Sequence, residues 1–174
     1  MSKITKIVAR QVFDSRGNPT IEAEIYSNNI RASSICPSGA STGTYDAYEK
    51  RDKANKKYLG KGVLNSVKYI NKVISKKLKK QNIHDQERLD YILIKLDGTK
   101  QKKKIGANAI LAISMAAKKL SAKVKKIPLY KNFIITKNFM LPYPLMNIIN
   151  GGAHANNGLR IQEFMIRPDK AKTF

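Results

Sequence analysis

The first forty residues contain three short stretches rich in apolar residues and separated by turn-forming residues, which is the pattern of β-strands. Residues 3–13 are rich in isoleucine and valine, and 14–19 then carry the turn-forming sequence DSRGNP. The stretch 20–26 alternates strictly, with isoleucine and alanine on one face and glutamate on the other, and 30–36 repeats the apolar character. Because the connections are short, the pattern predicts a three-stranded antiparallel meander.

The apolar spacing changes after residue 44 from two residues to the period of a helix. Residues 62–80 place apolar side chains at i, i+3 and i+4 spacing, with lysines on the other face. A second helix is predicted after Asp85, which would cap it, and it would end at 97–99. The alanine-rich stretch 106–122 predicts a third helix. Strands followed by helices indicate an α+β domain, in which the helices cover one face of the meander.

Two short apolar runs, 141–152 and 160–168, follow this domain and are interpreted as buried strands. The second contains Glu163, and alternation along a strand would direct Gln162 and Glu163 to opposite faces. A buried carboxylate must be paired, protonated or bound to a ligand. Glu163 is therefore either the structural partner of an arginine such as Arg160 or Arg167, or part of a functional site.

The charge is the most unusual feature of the composition. The 174 residues include 34 lysines and arginines but 12 aspartates and glutamates, so the formal charge is +22. One interpretation is a basic protein that binds RNA or other polyanions. The other is compositional drift, which is favoured because lysine predominates and the clusters at 76–80, 100–104 and 123–126 have no interleaved aromatic residues.

The cysteine content and the apolar runs narrow the class of protein. Cys36 is the only cysteine, which excludes an intrachain disulfide and fits a cytoplasmic protein. The N-terminus has no apolar core of a secretory signal, and no apolar run approaches the roughly 18 residues needed to span a bilayer. No membrane association is expected.

Two segments carry polar groups that a purely structural fold does not require. PSGASTG at 37–43 combines two glycines with three hydroxyl residues, so it is either a connector or a mobile loop that closes on an anion or metal. His154 follows a Gly-Gly turn, where its side chain can be directed into a cleft.

These segments belong to a series of motifs that resembles the enolase family, the phosphopyruvate hydratases of glycolysis and gluconeogenesis. The motifs occur in the family's order and spacing along the whole chain: DSRGNPT at 14–20, PSGASTG at 37–43, RD at 51–52, YLGKGV at 58–63, LDGT at 96–99, GANAILA at 106–112, PLY at 128–130, MNIINGG at 146–152, QEFMI at 162–166 and AKTF at 171–174.

The resemblance implies a fold and a reaction. Residues 1–138 would be the N-terminal α+β cap, and 139–174 would be the first two strands of an α/β barrel that is truncated early. The reaction would be the reversible, Mg²⁺-dependent dehydration of 2-phosphoglycerate to phosphoenolpyruvate, which makes the family lyases. By resemblance, Ser41 would ligate the second of two Mg²⁺ ions, and His154, Gln162 and Glu163 would bind the substrate. Glu163 would also be catalytic, exchanging a proton with the leaving hydroxyl.

The resemblance also implies a homodimer, in which Arg16 and Glu22 lie on the contact surface. The family's general base, a lysine, and the three carboxylates that hold the first Mg²⁺ belong to later strands, and a barrel of this kind needs about 250 residues. The 174-residue chain alone is therefore expected to be inactive and marginally soluble. The alternatives are a basic fragment that binds RNA, and a chain completed by a second chain.

Overall fold

The computed structural model describes residues 2–39, 43–54, 56–133 and 139–173. The chain divides into two compact units. The first comprises Met1–Ser38 with Tyr45–Ile135, and the second comprises Gly39–Thr44 with Thr136–Phe174.

The first unit begins with the predicted three-stranded meander. Strands β1 (Lys6–Phe13), β2 (Pro19–Ser27) and β3 (Ile30–Cys36) pair antiparallel in the order β1-β2-β3. In the first turn, the Asp14 carboxylate accepts the backbone N–H groups of Arg16 and Asn18, each at 2.9 Å. Ser27 pairs with Ile30, so the second turn is a two-residue hairpin. The prediction of a meander is confirmed.

The first predicted helix is divided into three segments. Helix α1 (Leu64–Tyr69) is followed by a π-helical turn (Ile70–Ile74) and by α2 (Ser75–Leu78). Asn71 lies in the π turn, where its side chain accepts the Ala9 N–H at 2.8 Å and donates to the Ala9 carbonyl at 2.9 Å. The turn thus places an amide against the edge strand β1 and satisfies two backbone groups that have no strand partner there.

The other two predicted helices form as single elements. Helix α3 spans Gln86–Asp97 with Asp85 as its N-cap, and α4 spans Ala107–Val124. Short 3₁₀ segments occur at Lys57–Gly60 and Leu129–Asn132. One face of the sheet and the apolar faces of the helices bury each other, and the fully buried side chains include Ile21, Ile25, Ile70, Leu93, Ile113 and Leu120. The prediction of an α+β domain is confirmed.

The end of α3 is fixed by a buried carboxylate. Asp97 is 2% exposed and accepts hydrogen bonds from the Ile105 N–H at 2.7 Å, the Thr99 N–H at 3.0 Å and the Thr99 hydroxyl. Gly98 adopts a left-handed φ of 68°, which ends the helix. Burial alone would raise the pKa of Asp97, but these hydrogen bonds outweigh it and the pKa is lowered.

The second unit contains the two predicted strands as a hairpin. Strands β4 (Met146–Asn150) and β5 (Glu163–Ile166) pair antiparallel with a bulge between Asn147 and Ile149, and a 3₁₀ turn (Gly152–His154) follows β4. The prediction that these strands are buried is wrong. Ile148 is 59% exposed and Phe164 is 44% exposed, because a two-stranded sheet has neighbours on neither face unless another layer covers it.

Candidate functional site

The connection between β4 and β5 folds tightly against the residues that precede β5. Gly151 donates its N–H to the Gln162 carbonyl at 2.8 Å, and Gly152 donates to the Leu159 carbonyl at 2.7 Å. A Cβ on Gly151 would lie 2.3 Å from the Ile161 carbonyl oxygen, so only glycine permits this approach. The His154 N–H then bonds to the Gly151 carbonyl at 3.0 Å, which fixes the backbone of His154.

Both ring nitrogens of His154 have hydrogen-bond partners. Nδ1 lies 3.0 Å from Glu163 Oε1, and Nε2 lies 2.9 Å from the Gln162 amide nitrogen. An ionised carboxylate only accepts, so Nδ1 carries the proton and Nε2 accepts from the amide of Gln162. This network fixes the orientation of the imidazole at both ring nitrogens.

The three residues come together although strand alternation predicted Gln162 and Glu163 on opposite faces. That expectation is wrong because β5 begins at Glu163, so Gln162 is not in the strand and alternation does not apply to it. The expectation of an arginine partner for Glu163 also fails: Arg167 pairs with Asp169 at 2.6 Å, and Glu163 pairs with His154.

Glu163 is partly accessible rather than fully buried. Its side chain is 30% exposed and that of His154 is 22% exposed. Oε1 is engaged by His154, whereas Oε2 accepts no hydrogen bond within the described part of the chain. A carboxylate that is oriented at one oxygen and open at the other is suited to proton exchange with a bound molecule.

An open cavity of about 600 Å³ lies beside this cluster, within the second unit. Its lining includes His154, Asn156 and Arg160, together with the small residues Gly152, Ala153 and Gly158. Arg160 supplies a positive charge and His154 supplies an imidazole, so the cavity is chemically suited to a small anionic ligand.

The loop 37–43 is described at residues 37–39 and 43, so the predicted metal ligand Ser41 lies outside the described residues. At the start of the loop, the Ser38 hydroxyl donates to Glu49 Oε1 at 2.6 Å, and Arg51 donates to Glu49 at 2.5 Å. Arg51 also bonds to Ser38, to the Pro19 carbonyl and, at 2.8 Å, to the Lys61 carbonyl. Glu49 was not predicted from the sequence, and Arg51 was identified only as part of the RD motif at 51–52.

The predicted dimer residues lie in or near the sheet. Glu22 is on the face opposite the helices and pairs with Arg10 at 3.0 Å, and Arg16 lies in the turn after β1. The neighbouring Glu24 is paired with Arg10 and Arg31. A hydrogen bond from Tyr26, assisted by the two arginines, lowers the pKa of Glu24 despite its burial. These contacts favour the ionised form of Glu24. The dimer contact of Arg16 and Glu22 stays a prediction.

The donor set of a metal centre is not assembled within the described residues. They contain no group of three His, Cys, Asp or Glu side chains placed to hold a metal ion. The first magnesium site implied by the resemblance therefore does not fit the side chains that these residues bring together. The described helices also include none with the length and apolarity needed to cross a membrane.

Comparisons with known proteins decide the family. The family model "Enolase, N-terminal domain" matches residues 4–133, and "Enolase, C-terminal TIM barrel domain" matches residues 138–174. The chain belongs to the enolase family. It is 75% identical over all of its 174 residues to the enolase of Pelagibacter ubique (strain HTCC1062). The resemblance seen in the sequence is thereby confirmed.

The match covers only part of this enolase. The chain spans 42% of the length of the Pelagibacter ubique protein, which is consistent with the N-terminal part of an enolase. The three-stranded sheet with its helices fits the enolase N-terminal domain, and the β4–β5 hairpin fits an incomplete barrel.

Proposed function

We propose that this chain is the N-terminal part of an enolase that interconverts 2-phosphoglycerate and phosphoenolpyruvate. The observation that supports it best is the convergence of His154, Gln162 and Glu163 beside an open cavity, in a chain 75% identical to an enolase. Loss of water from a 2-phospho-3-hydroxy acid requires proton delivery to the leaving hydroxyl, and an oriented carboxyl group is suited to that step.

Each residue of the cluster would have a distinct role. Glu163 would exchange a proton with the substrate hydroxyl, using the oxygen that His154 does not engage. His154 would hold Glu163 through Nδ1–H and line the pocket near the hydroxyl and phosphate. Gln162 would hold the imidazole tautomer by donating to Nε2 and would lie beside the reacting centre. Arg160, in the cavity wall, would attract the anionic substrate.

Magnesium belongs to this proposal as two ions per active site, with Ser41 as a ligand of the second. The described residues do not assemble the carboxylates of the first site, and we therefore expect residues 1–174 alone to show no turnover. We further propose a cytoplasmic homodimer with Arg16 and Glu22 in its contact surface.

The role of Glu163 can be tested in a complete barrel. Residues 1–174 would be fused to the part of the Pelagibacter ubique enolase that this chain does not cover, and dehydration of 2-phosphoglycerate would be followed by the absorbance of the enol product. Glu163→Gln removes the acid but keeps the shape, so we expect kcat to fall by about 10²-fold or more. Glu87→Gln, an exposed position in the first turn of α3, is the matched control.

The control should stay within about twofold of the unsubstituted fusion. A Glu163→Gln fusion that keeps full kcat would contradict the assigned proton transfer. Gln162→Met is a useful third variant, because it removes the donor to His154 Nε2 and keeps the length of the side chain without adding a charge. We expect it to alter the pH dependence of kcat, which a purely structural role for Gln162 would leave unchanged.

A further inference from the structure

A continuous stretch of the first unit is strongly cationic. Residues 53–84 contain ten lysines and neither aspartate nor glutamate. This stretch comprises the segment before α1, then α1, the π turn, α2 and the connection that follows α2. The apolar side chains of these helical turns, such as Ile70, Ile74 and Leu78, are buried in the core, and Lys68, Lys72 and Lys76 are exposed on the opposite side.

Part of this stretch lines an open cavity of about 670 Å³, which we call the lysine cavity. Its walls carry Lys53 and Lys56 from the segment before α1, Lys68 from α1, and the ring of Tyr48. The Lys53 ammonium lies 5.8 Å from the centre of the Tyr48 ring. The cavity therefore combines three cations and an aromatic ring that the linear sequence does not show as a cluster.

The other charged groups of the lysine cavity are already engaged. Asp52 is 7% exposed and accepts the Asn65 N–H at 3.3 Å, near the start of α1. Arg51 is held by Glu49 and by backbone carbonyls. In contrast, the ion pairs of the described residues include neither Lys53, Lys56 nor Lys68. These three ammonium groups are available to an external anion.

We propose that the lysine cavity binds a single-stranded nucleic acid, with backbone phosphates on the lysines and a base against Tyr48. A groove that joins cations to an aromatic ring is the usual arrangement for single strands, since every base has a face that can stack. Lys72 and Lys76 extend the charge along the helix for the next phosphates. Lysines contact phosphate as point charges, so the binding is independent of sequence.

An anionic membrane is a poorer fit to the same surface. A basic helix that binds a bilayer must insert its apolar face, but here that face is buried against the sheet. The lysine cavity is also concave, which suits a strand rather than a flat layer of head groups. The inference is independent of the proposed enolase activity, because the cavity lies wholly in the first unit and shares no residue with the His154 cluster.

The test uses the whole 174-residue chain and a fluorescently labelled, unstructured 20-nucleotide RNA. Fluorescence anisotropy would give the dissociation constant at a series of KCl concentrations from 50 to 300 mM. The triple variant Lys53→Gln, Lys56→Gln, Lys68→Gln removes three phosphate contacts. We expect the affinity to be at least tenfold weaker near 100 mM salt. The slope of log affinity against log salt concentration should also be smaller by about 2, because each phosphate contact on a single strand contributes about 0.7.

The matched control is the triple variant Lys95→Gln, Lys126→Gln, Lys131→Gln, which loses the same charge at exposed positions outside the lysine cavity. We expect it to stay within about threefold of the native chain. Replacing the three cavity lysines by arginine should retain binding. Tyr48→Leu should weaken binding by about fivefold or more without changing the salt slope, because it removes stacking and leaves the charges.

Equal losses in the two triple glutamine variants would overturn the proposal, since binding would then follow net charge alone. No measurable binding by the native chain at 100 mM salt would overturn it as well. Displacement of the RNA by vesicles rich in phosphatidylserine would show that a membrane is the better ligand. Thermal unfolding within a few degrees of the native chain identifies the variants that are folded. If the cavity glutamine variant is not folded, Tyr48→Leu keeps the test decisive, because unchanged binding by that variant would contradict a base against Tyr48.

Discussion

The buried carboxylate at the end of α3 offers the sharpest test of the forces that hold the first unit together. Asp97→Asn keeps the size of the side chain and removes one acceptor oxygen. Asp97 accepts from two backbone N–H groups and one hydroxyl, so the new amide nitrogen must face at least one of these donors. If the amide nitrogen takes the place of Oδ2, the Ile105 N–H loses its acceptor, which now lies at 2.7 Å.

The expected destabilisation by Asp97→Asn has two sources, which are the loss of a charge-assisted hydrogen bond and a buried donor left without an acceptor. Such bonds contribute about 1.5–3 kcal/mol each, and an unpaired buried donor costs a comparable amount. We expect the free energy of unfolding to fall by about 2–3 kcal/mol. For a unit of roughly this size, 1 kcal/mol corresponds to about 4 °C, so Tm should fall by about 8–12 °C.

The assay is thermal and urea unfolding followed by circular dichroism. Asp85→Asn is the matched control, because Asn caps a helix about as well as Asp and should change Tm by less than about 2 °C. The pKa of Asp97 is lowered in the folded chain, so its stabilisation is present above the ordinary value of 3.8 and is lost as the pH falls through the folded pKa. The difference between native chain and Asp97→Asn should therefore shrink between pH 5 and pH 3. A variant that unfolds within 2 °C of the native chain at pH 7, or a difference that persists unchanged at pH 3, would refute the reasoning.

Three further predictions concern other parts of the chain. Burial of His84 against Ser121, aided by the positive charge of Lys125, lowers the pKa of its imidazole. The corresponding stability is present above pH 6.5 and is lost as the pH falls through the pKa of the folded chain. The urea midpoint of the native chain should therefore fall more between pH 7.5 and pH 5 than that of His84→Gln. Equal falls would remove His84 as the cause. Arg51→Lys cannot reproduce the forked hydrogen bonds to Glu49, Ser38 and two carbonyls. We expect the free energy of unfolding to fall by about 1–2 kcal/mol. Arg88→Lys, on the exposed side of α3, should leave the free energy of unfolding nearly unchanged. A smaller loss at position 51 than at 88 would contradict the anchoring role. The exposed apolar side chains of the β4–β5 hairpin should make the 174-residue chain scatter light at tens of micromolar. Ile148→Lys should reduce this scattering relative to Lys72→Arg, and a native chain that stays clear at these concentrations would count against the prediction.

The elements of the first unit could be predicted because their patterns are local. The alternation of Ile21, Ala23 and Ile25 is repeated in the buried face of β2, and Asp85 caps the helix that its position indicated. The π turn could not be predicted, because it depends on the contact of Asn71 with Ala9, which lies 62 positions away in the chain. Long-range hydrogen bonds leave little trace in apolar periodicity.

The sequence predicted which residues form the candidate site, but it did not predict how their side chains are arranged. His154 and Glu163 were identified from a Gly-Gly turn and from a carboxylate within an apolar run. Their contact depends on where β5 begins, and strand ends are poorly defined by pattern alone. The lysine cavity was missed because Tyr48 is separated from Lys68 by twenty positions and no cluster in the linear sequence joins them.

The measurement that tests the central claim most directly is the rate of 2-phosphoglycerate dehydration by the fusion of residues 1–174 with the remaining part of the Pelagibacter ubique enolase. The intact relative and the 174-residue chain alone would be assayed beside it. We predict that the fusion turns over within about tenfold of the intact relative and that the chain alone does not. A folded fusion without turnover, beside an active relative, would contradict the claim that this chain supplies the N-terminal part of a working enolase.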